Sequence, residues 1–198
     1  MPPLIAVVKV GGSLYDLANL GPRLRRWLDE QFADIRVVLV PGGGGTADMI
    51  RHLDRCHGLG EETSHWLALR ALSLNAHFLA GLLPAAFVAG KLEALRAAWE
   101  KNRLPVLDVH EFARDDEERS GRLPHSWAVT SDAVAARVAV VVQARHLVLL
   151  KSATIPPGTS WKEAGRRGLV DAMFTEVLRE APADLQVSAV NLRRWQAR

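Results

Sequence analysis

Two short apolar runs, each ending in glycines, constrain this chain more than any other feature of its sequence. The first reads IAVVKVGGS over residues 5–13, and the second reads VVLVPGGGG over residues 37–45. Unbroken β-branched runs of this length are typical of strands that are buried on both faces of a parallel sheet. A helical pattern over residues 16–31 separates them, and another over residues 46–54 follows. This alternation predicts an α/β fold around a mainly parallel sheet.

The rest of the chain continues the alternation. The pattern predicts helices over residues 62–83, 91–102, 131–143, 161–167 and 171–180, and strands over residues 104–109, 146–151 and 185–190. The helix over residues 62–83 is apolar nearly all round, apart from a polar stripe of Arg70, Ser73 and His77. Such a helix is buried in the core, lines a site or packs against a second subunit. The acidic block at residues 115–118 is predicted to be a solvated loop.

Composition narrows the class of protein. The 198 residues, 48% of them hydrophobic, are enough for one globular domain. The net charge of +3 is scattered, with no basic run, so nucleic-acid binding is not expected. A single cysteine excludes an internal disulfide and a cysteine-based metal site, and no histidine pair has convincing ligand spacing. Without a signal peptide or an uninterrupted apolar span, we expect no membrane association and a cytoplasmic protein.

The glycines after the two strands favour an oxyanion site. Gly11, Gly12 and Ser13 follow the first strand, and the run 42–45 follows the second. In a parallel sheet, the loops at the carboxyl ends of strands face the ligand crevice. Glycine lets backbone N–H groups approach an anion closely, and the N-terminus of the next helix adds a favourable dipole. Two such loops on consecutive strands therefore indicate a phosphate or carboxylate site.

Lysine usage supports this interpretation. The chain has 20 arginines and five lysines, and two of the five, Lys9 and Lys151, stand at the ends of apolar strands. A lysine there supplies a compact point charge where arginine would supply a planar fork. The competing interpretation is that either lysine extends from the strand end to the surface.

A third motif, Thr130-Ser131-Asp132, opens the predicted helix over residues 131–143. The simplest interpretation is an N-cap, since all three residue types are favoured there. An acid at this point could also orient two lysines, or hold a metal ion that is bound to a nucleotide. The Walker pattern is absent, and Gly42 to Ala47 match the dinucleotide pattern G-x-G-x-x-[GA]. That pattern requires a strand ending in an acid about twenty residues onward, where this chain has a predicted helix instead.

Taken together, the segments KVGGS at residues 9–13, PGGG at residues 41–44 and TSD at residues 130–132 resemble the amino acid kinase family over essentially the whole chain. The resemblance implies a single three-layer αβα domain with a shortened C-terminal lobe. It implies an acceptor-binding lobe over residues 1–120 and a nucleotide-binding lobe over residues 121–198. It also implies ATP as phosphate donor, Mg²⁺ held mainly by the nucleotide, and a homodimer or higher homo-oligomer.

The resemblance also assigns roles to residues. Lys9 would stabilise the phosphoryl group in flight, Asp132 would organise the lysines, and Lys151 would replace the second lysine that relatives carry, with Lys162 as the fallback. Nucleotide phosphates would be bound by Gly11, Gly12, Ser13, Thr130, Ser131 and Lys162. The acceptor would be bound by Gly42, Gly43, Gly44, Gly45, Asp48, Arg51, His65 and Arg70.

Residues 64–68 and 125–127 most resemble one branch of that family, the furan methyl phosphate kinases of methanofuran and methylofuran biosynthesis in C1 metabolism. This implies a phosphate monoester as acceptor, such as [5-(aminomethyl)furan-3-yl]methyl phosphate, and a diphosphate as product. Three alternatives remain open from the sequence. They are isopentenyl phosphate as acceptor, a carboxylate as acceptor, and a non-catalytic regulatory or storage protein that binds a nucleotide or an oxyanion.

Overall fold

The computed structural model describes residues 4–197, in which one six-stranded sheet runs through the whole molecule. The strand order is β3-β4-β2-β1-β5-β6, and every neighbouring pair in this sheet is parallel. The strands are β1 (Ile5–Val10), β2 (Arg36–Pro41), β3 (Ala86–Ala89), β4 (Leu104–Leu107), β5 (His146–Lys151) and β6 (Gln186–Asn191). The predicted α/β fold with a mainly parallel sheet is confirmed.

Helices cover both faces of this sheet. They are α1 (Leu20–Phe32), α2 (Gly44–His57), α3 (Glu61–Leu82), α4 (Leu92–Glu100), α5 (Val109–Asp116), α6 (Ser131–Val141), α7 (Trp161–Arg166) and α8 (Phe174–Val177). Two short 3₁₀ turns, Gly12–Leu14 and Leu178–Glu180, complete the described structure. No helix in this part of the chain is long and apolar enough to cross a membrane.

Two hydrophobic cores give the sandwich its three layers. Val7 belongs to the core that also contains α4, α5 and α6, whereas its neighbour Val8 belongs to the core that contains α1. Successive strand residues point to opposite faces, so both are fully buried, which explains the unbroken apolar runs. Helix α3 contributes to both cores, with Leu72 in the first and Ala76 in the second.

The sequence patterns missed two elements, β3 and α5. Helix α5 begins directly after β4, where the Asp108 side chain accepts a hydrogen bond from the N–H of Glu111 at 3.0 Å and so caps the helix. The strand predicted over residues 104–109 therefore ends at Leu107. The acidic block was predicted to be solvated, and this is wrong for Asp116. Its carboxylate is buried at the end of α5 and pairs with Arg137 of α6 at 2.7 and 2.9 Å.

The parallel register brings three strand ends to one edge of the sheet. Lys9 on β1 lies beside Val40 of β2 and Leu149 of β5. The glycine loops after β1 and β2 and the end of β5 are therefore neighbours. Helix α6 packs on β1 and starts near the same edge. The sheet thus assembles all three sequence motifs into one region.

Candidate active site

A carboxylate between two lysines occupies the centre of this edge. Lys9 lies on the same face of the sheet as Val7, and it meets α6, which covers that face. Its Nζ is 2.9 Å from Asp132 Oδ1, and the Nζ of Lys151 is 2.8 Å from Asp132 Oδ2. Asp132 is only 4% exposed. The structure therefore brings the three predicted residues into direct contact.

The electrostatics of this trio leave an excess of positive charge. Burial by itself would raise the pKa of Asp132, but Lys9 and Lys151 outweigh it and hold that pKa below its usual value. The pKa of Lys151 is lowered by burial and by the charge of Lys9, although Asp132 opposes the shift. Two ammonium groups share one carboxylate, so an anion placed beside them gains more than it would at a balanced pair.

The two glycine loops touch each other, backbone against backbone. A Cβ added to Gly12 would lie 2.1 Å from the nitrogen of Gly44, and one added to Gly42 would lie 2.3 Å from the nitrogen of Gly12. Gly44 also has a φ of 55°, which favours glycine. Glycine is thus required here by packing, in addition to any contact with an anion. The sequence had suggested only the second reason.

Only some of these glycines have space or a free amide for a ligand. The N–H of Gly11 donates to Leu150 at 2.8 Å, and the N–H of Gly42 donates to Val10 at 2.8 Å. Gly45 is exposed and does not line the cavity next to these loops. Gly12, Gly43 and Gly44 are the glycines of the two loops that line this cavity.

Two residues that sequence reasoning did not select support the second glycine loop. Asn75 of α3 is buried, and its amide donates to the carbonyls of Gly42 and Gly43 at 2.8 and 2.7 Å. The Tyr15 hydroxyl donates to Gly42 O at 2.9 Å and accepts from Gly42 N at 2.8 Å. A polar asparagine inside a nearly all-apolar helix was the available signal for Asn75. Tyr15 had no such signal.

A cavity of about 210 Å³ opens between the glycine loops, α3 and the start of α6. Its charged lining side chains are Lys9 and Arg51, and no carboxylate lines it within the described residues. The other polar or aromatic lining side chains are His65, Ser126, Trp127, Thr130 and Ser131. This charge balance suits an anionic ligand with an apolar or aromatic part.

A groove of about 420 Å³ lies beside this cavity. Asp132 and Lys151 line the groove, whereas Lys9 lines the cavity. Trp127 and Thr130 line both spaces. The trio therefore stands where two ligands, one in each space, would meet.

Two side chains contact Trp127 at this boundary. Its indole N–H donates to Asp54 Oδ2 at 2.8 Å, and the guanidinium of Arg51 lies 5.0 Å from its ring centroid. Arg51 in turn pairs with Asp48 at 2.9 Å. These contacts fix one aromatic face and one cation on the cavity wall.

The carboxylate of Asp171 positions the start of α6, and the sequence analysis did not select this residue for the site. Its Oδ2 accepts from the N–H and the hydroxyl of Thr130 and from the N–H of Ala133, at 3.1, 2.7 and 2.8 Å. Its Oδ1 accepts from the N–H of Phe174 at 2.7 Å. Thr130 is the N-cap residue of α6, as its residue type predicts, but its side chain makes no capping bond to the helix and donates to Asp171 instead. Burial raises the pKa of Asp171.

Several predicted site residues lie away from both spaces. Arg70 and Asp48 are exposed and do not line the cavity, and Lys162 on α7 is exposed and does not line the groove. Ser13 is exposed as well, and its hydroxyl lies 2.8 Å from that of Ser152, next to Lys151. Among the basic residues predicted here, Lys9, Arg51 and Lys151 are thus the ones at the site.

Comparison with known proteins identifies the family of this chain. The model of the amino acid kinase family matches residues 5–153, about three quarters of the sequence. The chain belongs to the amino acid kinase family. Among curated relatives, [5-(aminomethyl)furan-3-yl]methyl phosphate kinase from Methanocaldococcus jannaschii is 27% identical over 146 residues. The match covers 72% of this chain and 63% of that relative, which is less than two thirds of its length.

Solved structures of amino acid kinases share the fold. Uridylate kinase from Archaeoglobus fulgidus superposes with a TM-score of 0.65 at 17% identity, over 93% of this chain and 88% of that one. UMP kinase from Ureaplasma parvum superposes with a TM-score of 0.66 at 15% identity, over 97% of this chain and 91% of that one. Carbamate kinase from Giardia lamblia superposes with a TM-score of 0.57 at 10% identity, over 96% of this chain and 93% of that one. At these identities the likeness shows the fold alone.

Proposed function

We propose that this chain is an ATP-dependent kinase that phosphorylates a small phosphate monoester. The observation that carries the proposal is the Lys9–Asp132–Lys151 trio at the junction of an anion-compatible cavity and a groove. Phosphoryl transfer requires two ligands in line and neutralisation of negative charge more than it requires covalent help. The cavity and the groove provide places for the two ligands. The two lysines held by one carboxylate provide the positive charge.

In the proposed reaction, ATP occupies the groove and the acceptor occupies the cavity. An oxygen of the acceptor phosphate forms a bond to the γ-phosphorus as the bond to the β–γ bridging oxygen breaks, and ADP leaves with that electron pair. Lys9 and Lys151 neutralise the charge on the group in transit, and Asp132 keeps both ammonium groups in place. The groove is lined only by residues from 127 to 172, which supports the proposed nucleotide-binding lobe over residues 121–198. The remaining residues, 1–120, are proposed to form the acceptor lobe.

Mg²⁺ is proposed to be held mainly by the nucleotide. Both oxygens of Asp132 are taken by lysines, and among residues 4–197 no three His, Cys, Asp or Glu side chains converge as metal ligands. Mg²⁺ is commonly bound through substrate phosphates with few protein ligands, which is compatible with this donor set. When bound, it would neutralise charge on the β- and γ-phosphates.

The proposed acceptor is [5-(aminomethyl)furan-3-yl]methyl phosphate, which would give the diphosphate within methanofuran or methylofuran biosynthesis. The M. jannaschii relative bears the name of this activity. The cavity supports it with Lys9 and Arg51 for the phosphate, and with the faces of Trp127 and His65 for the ring. Asp48, considered for the amine, is exposed and paired with Arg51, so the cavity supplies no carboxylate for that group within the described residues.

A side-by-side assay tests the acceptor. ATP consumption is measured with the furan phosphate, isopentenyl phosphate and acetylglutamate at matched concentrations. We expect kcat/KM for the furan phosphate to exceed the others by about tenfold or more, roughly 1.4 kcal/mol of transition-state binding. A tenfold higher kcat/KM for either competitor than for the furan phosphate contradicts the acceptor assignment and leaves the kinase proposal standing. Tight ATP binding without transfer to any acceptor would favour the non-catalytic alternative.

We further propose a cytoplasmic homodimer. ATP use requires a compartment that supplies ATP. Leu74, Phe78 and Leu82 form an exposed apolar stripe at i, i+4 and i+8 along α3, with exposures of 61%, 41% and 37%. A straight helix of 22 residues is about 33 Å long, so two copies can bury this stripe against each other across a two-fold axis.

A further inference from the structure

One histidine of the cavity wall formed by α3 stacks on a second histidine that lies behind this wall. His65 lines the cavity and is only 6% exposed. Its ring stacks on that of His125, with centroids 4.8 Å apart and planes at 19°. The Trp66 ring meets both imidazoles edge-on, at 5.6 and 5.0 Å. This packing holds the two imidazoles face to face.

His125 carries the positive charge of the pair. Its Nδ1 lies 2.6 Å from Glu62 Oε2, and its Nε2 lies 2.8 Å from Glu117 Oε1. A ring with a carboxylate at each nitrogen is satisfied only when both nitrogens carry protons. Burial works against this charge, but the two glutamates outweigh it and raise the pKa of His125.

His65 is uncharged at neutral pH, chiefly because it is buried. Burial and the neighbouring charge of His125 lower its pKa to about 4, while Glu62 and Glu117 oppose the shift more weakly. Other charged or titratable groups also border this cluster. His110 and Arg114 of α5 approach the Trp66 ring. Arg122 pairs with Glu117 at 3.7 Å, and Asp116 lines a small cavity together with His65 and Glu117. The cavity lining therefore has cations at Lys9 and Arg51 and a neutral imidazole at His65.

The paired contacts of His125 with Glu62 and Glu117, which we call the His125 clasp, also anchor the chain segment that forms the next part of the wall. His125 directly precedes Ser126 and Trp127, both of which line the cavity. Its two carboxylate partners come from different elements, Glu62 from α3 and Glu117 from the end of α5. One imidazolium thus ties three parts of the fold together behind the cavity.

We propose that His125 is a positioning residue that fixes this wall and adds to the burial that already keeps His65 uncharged, so that the wall receives the neutral ring of the acceptor while the phosphate lies at Lys9 and Arg51. The proposal rests on the proposed kinase function for its kinetic part. Its structural part, the division of charge between two histidines, is independent of any substrate.

Histidine NMR titration of the full chain tests the structural part. In the wild-type protein, we expect His65 to remain neutral down to about pH 5 and His125 to titrate above its usual range. His125→Gln should move the His65 transition upward by about half a pH unit or more, since a positive charge 4.8 Å away is removed. His110→Gln removes a different imidazole of the cluster and should leave the His65 transition in place. A His65 that titrates normally, or that ignores the loss of His125, overturns the proposal.

Steady-state kinetics test the positioning role. His125→Gln and Glu117→Gln should each raise the acceptor KM roughly fivefold or more, with kcat and the KM for ATP changed less than about twofold. His110→Gln should match the wild type in all three parameters. Unchanged acceptor KM in variants with wild-type circular dichroism and Tm would contradict the positioning role. If the wild type transfers phosphate to no acceptor, the proposed function fails, and the NMR titration still decides the histidine pairing.

Discussion

At the scale of single residues, Asp132 connects the two lysines of the candidate site. Its two oxygens hold Lys9 and Lys151 at 2.9 and 2.8 Å in a nearly buried position. Their unusual positions made these residues predictable from sequence: lysines at the ends of apolar strands and an acid at a helix start. Asp171 and Tyr15 were not predictable, because their roles depend on contacts with residues that lie far away in the sequence.

Asp132→Asn should cost both stability and turnover. It leaves Lys9 and Lys151 close together without their counter-charge, and breaking a buried pair typically costs about 3 kcal/mol of unfolding free energy. We also expect kcat to fall about 100-fold, because the ammonium groups are no longer held in place. The matched control is Asp29→Asn, which breaks an exposed pair with Arg25 and should cost less than about 1 kcal/mol. Equal small losses in both variants would contradict this account.

The raised pKa of His125 makes its clasp sensitive to pH. A group whose folded pKa is raised contributes stability that is complete below its unfolded pKa, near 6.5, and is lost as pH rises through the folded value. The stability advantage of the wild type over His125→Gln should therefore be larger at pH 6 than at pH 9. Urea unfolding at the two pH values measures it, and an advantage that grows with pH would refute the assignment of charge.

At the scale of elements, the start of α6 depends on a cap from elsewhere in the chain. Asp171 is separated by about forty residues from the N–H groups that it accepts from. Strands followed by glycines were readable from local pattern, as were long helices. Helix α5 was missed because charged residues hide its pattern, and its buried Asp116 has a partner, Arg137, 21 residues away. The four-residue edge strand β3 has too few residues for a clear periodicity.

Asp171→Ala should lower both the stability of the protein and its turnover rate. Loss of the cap should cost about 1–2 kcal/mol of unfolding free energy. Because α6 carries Asp132 in its first turn, kcat should fall as well, by roughly tenfold. Asp108→Ala is the control, since it removes a cap from α5, away from the cavity lining and the groove lining. That variant should lose comparable stability and keep its kcat, and a parallel fall in kcat would argue against a specific role for Asp171.

At the scale of the whole molecule, one parallel sheet carries the cavity and the groove at one edge. The exposed stripe on α3 leaves this fold with an apolar surface that a second copy would cover. The sequence indicated that α3 was unusually apolar. It could not indicate which of its residues the two cores would leave exposed, because α3 serves both cores.

Light scattering tests the dimer. The wild type should have a mass near twice the 21.7 kDa of one chain at micromolar concentration, and Phe78→Asp should shift it to that of one chain. Leu4→Asp is the matched control, because Leu4 is an exposed apolar residue immediately before β1, outside α3. A wild-type monomer, or a dimer that survives Phe78→Asp, contradicts pairing through this stripe.

The most direct test of the central claim is ³¹P NMR of the reaction products. The wild type and Lys9→Met are incubated with ATP, Mg²⁺ and [5-(aminomethyl)furan-3-yl]methyl phosphate, with the exposed-lysine variant Lys101→Met as control. We predict that the wild type and Lys101→Met produce ADP and the furan diphosphate, and that Lys9→Met does so at a rate lower by about 100-fold or more while it stays folded. Diphosphate formation by Lys9→Met at the wild-type rate would contradict the account of the site.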